Sequence, residues 1–369
     1  MGQPLKKLTI KGFKSIESLV DFELGSLNVL IGANGAGKSN FVDFFRMLRA
    51  MAGESLQNFV TEHGGSDGFF YLGPKHTRRI SARLEFGYNA YEFDLSPTAS
   101  NQMMIDQERV QFGDKTPKVR AQGMLESVLR TIKDEKSGLY QGHPGIGHYV
   151  YDAVSSWMVY HFHDTSLLAP MRRDQSIRDR TTLGHDASNI AAFLLNLREK
   201  HKGSYDLIRD TVRMIAPFID DFTLENETKG KEEKVRLEWR QKGSDFPFQA
   251  YHLSDGTLRF ICLATALLQP ALPSTIVIDE PELGLHPFAI GLLANLIQSA
   301  SERTQVIVST QSPALLDQFK PEEVVVVNRV QGRSTFARPN QQELKDWLAE
   351  YSLAELWQKD VLRGGPAHE

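Results

Sequence analysis

A glycine-rich loop near the amino terminus has the residue types and the spacing that bind phosphate. Residues 32–39 read Gly-Ala-Asn-Gly-Ala-Gly-Lys-Ser and fit the pattern G-x-x-x-x-G-K-S. Small residues let backbone N–H groups close around phosphate oxygens, Lys38 brings positive charge to the β- and γ-phosphates, and the Ser39 hydroxyl is a ligand for Mg²⁺. The sequence therefore predicts a site for ATP and Mg²⁺ at residues 32–39, the phosphate loop. Its predicted cofactor-binding residues are Gly32, Asn34, Gly35, Ala36, Gly37, Lys38, Ser39 and Asn40.

Two carboxylates at the end of an apolar run supply the second half of this chemistry. Residues 274–281 read Ser-Thr-Ile-Val-Ile-Asp-Glu-Pro, which predicts a buried strand that ends in Asp279 and Glu280, the acidic pair. Asp279 is suited to hold Mg²⁺ through water, whereas Glu280 is suited to polarise an attacking water molecule. We expect the strand before the phosphate loop and the strand before the acidic pair to be neighbours in one parallel sheet.

A third segment offers another anion-binding helix terminus. Residues 253–257, the signature segment, read Leu-Ser-Asp-Gly-Thr and precede a helical pattern. Ser254 is a natural N-cap and Gly256 permits close backbone approach, so the helix presents free N–H groups at this end. Alone, the segment would be read as an ordinary capped helix. Its place between the phosphate loop and the acidic pair favours nucleotide binding by Ser254, Asp255 and Gly256.

Regular elements must hold these three motifs. Residues 27–31 predict an apolar strand before the phosphate loop, and Phe41, Phe44 and Leu48 follow the loop at helical spacing. This strand–loop–helix order argues against an ordinary glycine turn. Residues 8–13 predict an edge strand, residues 20–24 a second strand, and residues 80–95 a hairpin, which together make a small β-lobe.

The middle of the chain predicts an insert. Residues 99–145 are polar and read as partly helical, residues 190–215 carry two helical stripes that predict a lid lobe, and residues 224–234 read as a charged loop. Residues 157–165 predict a strand with His161 and His163 on one face. Because no further ligand is spaced for zinc, ordinary strand histidines or contacts near the nucleotide are favoured over a metal site.

Composition limits the class of protein. The chain has 369 residues and a net charge of −4, which argues against coating nucleic acid through bulk charge but leaves a local basic groove open. The single cysteine, Cys262, cannot form an internal disulfide, so we expect a cytoplasmic location. No apolar run has the length of a membrane span, and no heptad seam indicates coiled-coil arms.

The order of these motifs resembles that of the ATP-binding-cassette (ABC) ATPases of the RecF, SMC and OLD clan, and more narrowly its short AAA-type ATPases without coiled-coil arms. The match covers nearly the whole chain except residues 99–145. It implies an α/β fold: a P-loop NTPase of the ABC-ATPase type, with a mainly parallel sheet flanked by helices, an antiparallel β-lobe and a helical lid lobe. Besides the motifs above, it rests on residues 13–16 (Phe-Lys-Ser-Ile), 160–165, 282–287 (Glu-Leu-Gly-Leu-His-Pro), 309–313 (Ser-Thr-Gln-Ser-Pro) and 347–357.

The resemblance also implies how the motifs cooperate. In such ATPases two heads enclose two ATP molecules, which implies a homodimer closed by ATP, with Ser254 and Gly256 acting in trans and residues 284–287 at the dimer seam as the D-loop. Gln311 stands where many relatives carry a switch histidine. A glutamine can orient water but does not titrate, so we expect slow hydrolysis with Glu280 and Gln311 as catalytic residues. The glutamine loop of these families is not recognisable in the sequence.

The same resemblance divides the chain into four parts. Residues 1–98 are expected to form the first part of the ATPase head, residues 99–245 an inserted lid lobe, and residues 246–340 the second part of the head. Residues 341–369 are expected to form a helical tail. Aromatic residues at 347–357 favour packing of the tail on its own core, with an apolar face for another subunit as the alternative.

Two functions fit these motifs. The first is an ATP-driven switch that gates a DNA-related process such as repair, recombination or phage defence. The second is a regulatory subunit that controls a separately encoded effector such as a nuclease, because too few residues follow the last apolar strand for a fused nuclease domain. A metabolic kinase is a weaker interpretation, since it does not explain the signature segment. The candidate DNA contacts are Lys75, Arg78, Arg79, Arg172 and Arg173, although a charge run such as residues 75–79 is more typical of a solvated face.

Overall fold

The structure is a computed structural model that describes residues 3–136, 142–229 and 232–362. The chain divides into two compact units. Unit 1 consists of Met1–Val159, Pro273–Val277 and Thr304–Glu369, and unit 2 consists of Tyr160–Leu272 and Ile278–Arg303. The four-part division expected from the sequence stays a prediction.

The chain forms strands throughout its length. In chain order they are β1 (Lys7–Phe13), β2 (Ile16–Glu23), β3 (Leu27–Ile31), β4 (Ile80–Phe86), β5 (Asn89–Pro97), β6 (Met103–Phe112), β7 (Lys118–Met124), β8 (Met158–Tyr160), β9 (Gln175–Ser176), β10 (Ile219–Thr223), β11 (Asn226–Lys229), β12 (Glu232–Val235), β13 (Glu238–Gln241), β14 (Pro247–Gln249), β15 (Thr275–Asp279), β16 (Gln305–Thr310), β17 (Val324–Val330) and β18 (Arg333–Ala337).

Helices lie between groups of these strands. They are α1 (Lys38–Ala52), α2 (Leu56–Glu62), α3 (Leu129–Ile132), α4 (Ile146–Ser156), α5 (Ile190–Lys200), α6 (Lys202–Ile215), α7 (Asp255–Leu268), α8 (Pro287–Ser301), α9 (Pro313–Leu316), α10 (Gln341–Leu344) and α11 (Leu353–Gln358). Among the described residues, no helix has both the length and the apolar character needed to cross a membrane.

The first sheet of unit 1 is the predicted β-lobe, and it is larger than the sequence indicates. Its six strands lie in the order β2-β1-β4-β5-β6-β7, and every neighbouring pair is antiparallel. The expectation of an edge strand at residues 8–13 is wrong, because β1 lies between β2 and β4. Residues 99–145, which the sequence indicates to be partly helical, contain the short helix α3, but they first form β6 and β7, which extend the sheet.

The second sheet of unit 1 carries the phosphate loop. Its order is β18-β17-β3-β16-β15-β8, with β3 parallel to both β16 and β17. All five residues of β3 are buried, as a strand covered on both faces requires. The strands before the phosphate loop and the acidic pair are not neighbours as expected, because β16 lies between β3 and β15.

The carboxyl-terminal tail packs on this sheet. Leu344, Leu353 and Leu356 join a buried cluster with Ile31 and Val324. The predicted helix at residues 347–357 is broken: a short 3₁₀ turn, Trp347–Ala349, precedes α11, which begins at an N-cap formed by Ser352. The tail therefore covers its own core, as favoured above.

Unit 2 contains the predicted lid helices and two small sheets. Helix α6 packs on α5 and α7, and α7 packs on α8. Buried in α7 is Cys262, whose Sγ lies 4.0 Å from the Sδ of Met171. The sheets have the orders β10-β13-β14 and β11-β12-β9. Where residues 224–234 were expected to be a charged loop, β11 and β12 pair as antiparallel strands.

Candidate nucleotide site

In unit 1 the phosphate loop follows β3 directly and ends at α1. Gly37 is the N-cap of α1 with a φ of 114°, a left-handed conformation that glycine adopts without strain. A Cβ at Gly32 would lie 2.2 Å from the carbonyl oxygen of Val327, and one at Gly37 would lie 1.9 Å from Oγ of Ser334. Both glycines are therefore required by space, and Gly37 is required by its conformation as well.

Lys38 lies inside the phosphate loop. Its Nζ donates to the carbonyl oxygens of Gly32 at 2.7 Å and Ala33 at 3.2 Å, and only 4% of the residue is exposed. Ser39 and Asn34 are exposed beside it. Because α1 starts at Lys38, its first N–H groups face the loop without helical partners, and this terminus attracts anions. The loop has the shape and charge of a phosphate site.

Gln311 also belongs to unit 1, and strand register places it beside the phosphate loop. Thr310 is paired with Ile31 in the parallel ladder between β16 and β3. Gln311 and Gly32 follow these paired residues directly. Because the two strands are parallel, both residues lie at the same edge of the sheet.

In unit 2 the acidic pair has two unusual features. Asp279 is 7% exposed, and its Oδ1 is buried with no hydrogen-bond partner among the described residues. A buried carboxylate oxygen is costly unless a cation or a donor meets it, so this side chain fits a Mg²⁺ site. Glu280 has a φ of 45°, which stores backbone strain in a residue with a Cβ.

A histidine holds the backbone beside the acidic pair. Nε2 of His163 lies 2.9 Å from the carbonyl oxygen of Asp279, and the rings of His161 and His163 are 4.0 Å apart. The predicted strand at residues 157–165 is shorter than expected, because β8 ends at Tyr160. The interpretation as contacts near the nucleotide motifs fits this position, and no metal-binding cluster occurs within residues 3–136, 142–229 and 232–362.

The signature segment caps α7 as the sequence predicts. Oγ of Ser254 accepts a hydrogen bond from the backbone N–H of Thr257 at 3.1 Å. A Cβ at Gly256 would lie 2.3 Å from the carbonyl oxygen of Gly284 in the D-loop. The signature segment and the D-loop are thus in backbone contact, which only a glycine permits.

Arg259 links the signature helix to its surroundings. Its guanidinium donates to the carbonyl oxygens of Phe162, His163 and Leu283. Burial lowers the pKa of this guanidinium. Arg259 therefore joins α7, the segment after β8 and the residue just before the D-loop.

Arg172 has a structural position that the sequence does not reveal. Its side chain is 4% exposed and donates to the carbonyl oxygens of Thr165, Ala250 and Leu253 and to the carboxylate of Asp255. The expectation that Arg172 contacts DNA is wrong, because these partners use its donors. Arg173, next to it, is exposed.

Other supporting residues are also missing from the sequence prediction. Ser334 contacts the phosphate loop and Arg259 contacts the backbone of Leu283. The place of Arg259 soon after the signature segment gives some signal of its role, whereas Ser334 looks like an ordinary strand residue until the fold is known. The sequence names His163 near the nucleotide but does not show that it contacts Asp279.

A comparison with protein families identifies the family to which this chain belongs. A family model described as "AAA domain, putative AbiEii toxin, Type IV TA system" matches residues 27–116 and 160–317, more than half of the chain. The chain belongs to this family. It is an ABC-type ATPase of the RecF, SMC and OLD clan, as the resemblance implies.

Relatives and solved structures agree with the assignment to the ABC-type ATPases. OLD nuclease of Thermus scotoductus is 22% identical over 351 residues, which cover 88% of this chain and 62% of the relative. The chain thus spans less than two thirds of that protein. The energy-coupling factor transporter ATP-binding protein EcfA2 of Clostridioides difficile is 25% identical over 217 residues, covering 55% of this chain and 68% of EcfA2.

A solved SMC head, crystallised with the C-terminal winged-helix domain of ScpA, has the same fold. It superposes with a TM-score of 0.55 at 15% identity and covers 93% of this chain and 99% of the SMC head chain. The P-loop NTPase fold expected from the sequence is confirmed.

Proposed function

We propose that this ABC-type ATPase is a switch that dimerises on ATP and opens when ATP is hydrolysed. The phosphate loop carries the proposal, because Lys38, two space-restricted glycines and the start of α1 form a phosphate site in one segment. Ser39 and Asp279 would hold Mg²⁺, which neutralises phosphate charge when bound. The buried, unpartnered Oδ1 of Asp279 supports that role.

Glu280 is the proposed base for the attacking water. Glu280 follows Asp279 directly, and its strained backbone is of the kind that occurs at active sites. Gln311, at the edge of the sheet beside Gly32, would orient the same water. The segment after β8 would act in place of the unrecognised glutamine loop, because His163 contacts the backbone of Asp279 and Arg259 contacts the backbone of His163.

Ser254, Asp255 and Gly256 are proposed to act on the ATP of the partner subunit. The support is that Ser254 and Asp255 are exposed while the backbone of Gly256 rests on the D-loop. The partner's γ-phosphate would then meet the exposed amino terminus of α7.

Light scattering during size-exclusion chromatography tests the switch. Wild type and Glu280→Gln are compared with and without Mg-ATP, and phosphate release is measured in the same samples. Glu280→Gln should stop hydrolysis and accumulate as an ATP-dependent dimer, because loss of the base leaves ATP binding intact. Glu302→Gln, which changes an exposed carboxylate at the end of α8, is the matched control and should hydrolyse like wild type.

Monomers of both wild type and Glu280→Gln in Mg-ATP, with no phosphate release, would contradict the switch. Hydrolysis by Glu280→Gln at the wild-type rate would contradict only the proposed role of Glu280 as the base.

DNA is the proposed partner of the switch. Because Arg172 is buried, it is no longer a candidate phosphate contact. The exposed candidates are Lys75, Arg78, Arg79 and Arg173. Arg79 is the weakest of them because its guanidinium pairs with Asp106 at 3.4 Å. Binding that depends on salt is the property to expect of such surface cations.

Fluorescence anisotropy with labelled DNA tests this partner at about 50 and 200 mM salt. Lys75→Glu/Arg78→Glu should weaken binding at both salt concentrations, whereas Lys200→Glu on α5 should bind like wild type. If wild type binds no DNA even at low salt, the DNA proposal fails.

Control of a separately encoded nuclease is the second proposal. It is supported by the similarity to a protein named OLD nuclease over 62% of that protein's length. Co-purification of a nuclease whose activity changes with Mg-ATP would support this function. A cytoplasmic location, expected from the single cysteine, stays a prediction under both proposals.

A further inference from the structure

The hairpin formed by β17 and β18 lies along the phosphate loop, although about 300 residues separate them in sequence. It contacts the loop at Gly32, Gly35 and Ala36. The carbonyl oxygen of Val327 limits the space at Gly32, Arg329 donates to the carbonyl oxygen of Gly35 at 3.3 Å, and Ser334 donates to that of Ala36 at 2.6 Å. None of the motifs recognised in the sequence includes this hairpin.

Ser334 is the buried member of this contact. It is 3% exposed, and its backbone N–H donates to the carbonyl oxygen of Ser15 at 2.7 Å. The hydroxyls of Ser15 and Ser334 are 2.6 Å apart, and Nδ2 of Asn40 donates to Oγ of Ser15, also at 2.6 Å.

The direction of these hydrogen bonds follows from counting protons. A serine hydroxyl has one proton to donate. Ser334 gives its proton to the carbonyl oxygen of Ala36, so Ser15 must donate to Ser334, and Asn40 donates to Ser15. The relay therefore runs from Asn40 through Ser15 and Ser334 to Ala36. It joins the two residues that flank Gly37, Lys38 and Ser39.

We propose that Ser334 is a positioning residue for ATP binding, which fixes the shape of the phosphate loop by closing this relay across residues 37–39. Ser334 touches no part of the nucleotide in this role; it acts through the carbonyl of Ala36 and the tight contact at Gly37. The inference rests on the proposed binding of ATP at the phosphate loop. It assigns a function in nucleotide affinity to the carboxyl-terminal hairpin.

Titration of Mg-ATP into Ser334→Ala tests this role against its neighbour. The variant should bind ATP about five- to tenfold more weakly than wild type, because one well-formed hydrogen bond to the loop is lost. The KM for ATP should rise by the same factor, whereas kcat should stay near the wild-type value, since Glu280 is unchanged. Thr335→Ala, an exposed position on the same strand, is the matched control and should bind ATP like wild type.

A second variant, Ser15→Ala, tests the order of the residues in the relay. Ser15→Ala leaves the bond from Ser334 to Ala36 in place, so its effect should be smaller than that of Ser334→Ala. The double variant should lose less affinity than the two single losses combined would give, because both substitutions interrupt the same relay. If Ser334→Ala does not fold, a weaker ATP affinity of Ser15→Ala at an unchanged melting temperature still supports the relay, and an unchanged affinity overturns it.

The outcomes separate this inference from the proposed function. If wild type binds no ATP, the proposed function fails and the inference falls with it. If wild type binds ATP and Ser334→Ala binds it equally well, the inference alone is overturned. A loss of affinity by Ser334→Ala that matches an equal loss by Thr335→Ala would also overturn it.

Discussion

Glu108 is a carboxylate with no access to solvent, and its neighbours show why it is tolerated. It is 0% exposed on β6 and accepts hydrogen bonds from the hydroxyls of Tyr91 and Ser127 and from the backbone N–H of Val128. Burial nevertheless raises the pKa of Glu108. The β-lobe therefore contains a buried carboxyl group whose pKa lies above the ordinary value for glutamate.

Glu108→Gln should change how the stability of the protein depends on pH. Because the pKa of Glu108 is higher in the folded protein than in the unfolded chain, the folded form keeps a proton that the unfolded chain has lost. Stability from this group is complete below the unfolded pKa and is lost as pH rises through the folded pKa. The melting temperature of Glu108→Gln, relative to wild type, should therefore rise as the pH increases from the ordinary glutamate pKa of about 4 through the raised pKa of the folded protein.

Melting curves of both proteins over that range check this prediction. A difference between wild type and Glu108→Gln that is constant with pH would show that Glu108 does not titrate there.

At the scale of elements, the local motifs were predictable and their supports were not. The phosphate loop, the acidic pair and the capped start of α7 are short patterns whose chemistry depends on a few adjacent residues. The place of β16 between β3 and β15 depends on long-range pairing, which no local pattern encodes. Ser334 and Arg172 act through backbone carbonyls that only the fold brings near them.

The missed strands have a physical explanation of their own. One face of β5 and β6 carries ion pairs, in which Arg109 meets Glu92 at 3.2 Å and Asp94 at 2.7 Å. Charged residues that neutralise each other across strands make a polar sequence compatible with a sheet. Residues 103–112 therefore look like a polar segment although they form a ten-residue strand.

Arg172→Ala should destabilise the start of the signature helix. The change removes the hydrogen-bond donor of three carbonyl oxygens. Leaving even one buried carbonyl oxygen without a donor costs about 1–3 kcal/mol. Thermal unfolding should show a lower melting temperature for Arg172→Ala, while the neighbouring Arg173→Ala should melt like wild type. An equal loss of stability in both variants would contradict the anchoring role of Arg172.

At the scale of the whole molecule, the segments proposed to bind phosphate and to close the dimer lie in different units of the chain. The phosphate loop belongs to unit 1, whereas the signature segment and the D-loop belong to unit 2. A substitution confined to unit 2 can therefore block the proposed closure while the phosphate loop stays intact.

Gly256→Ala is such a substitution. Its Cβ would lie 2.3 Å from the carbonyl oxygen of Gly284, so the signature segment and the D-loop must move apart. Size-exclusion chromatography in Mg-ATP should show that Gly256→Ala combined with Glu280→Gln stays monomeric, whereas Glu280→Gln alone dimerises. The affinity for ATP should change by less than about twofold, since the substitution leaves every residue of the phosphate loop unchanged. A dimer of the double variant would refute the proposed role of Gly256.

Because Cys262 is the single cysteine of the chain, its rate of chemical labelling reports how often unit 2 opens. Burial raises the pKa of Cys262 to about 12, so the folded protein contains almost no reactive thiolate near neutral pH. Labelling by a thiol reagent should therefore be slow and should proceed only as often as unit 2 opens around α7, with each modified chain recording one opening. Labelling as fast as in denaturant would show that Cys262 is accessible in the folded state. Comparing the labelling rate of Cys262 with and without Mg-ATP would show, without any introduced probe, how nucleotide changes the opening of unit 2.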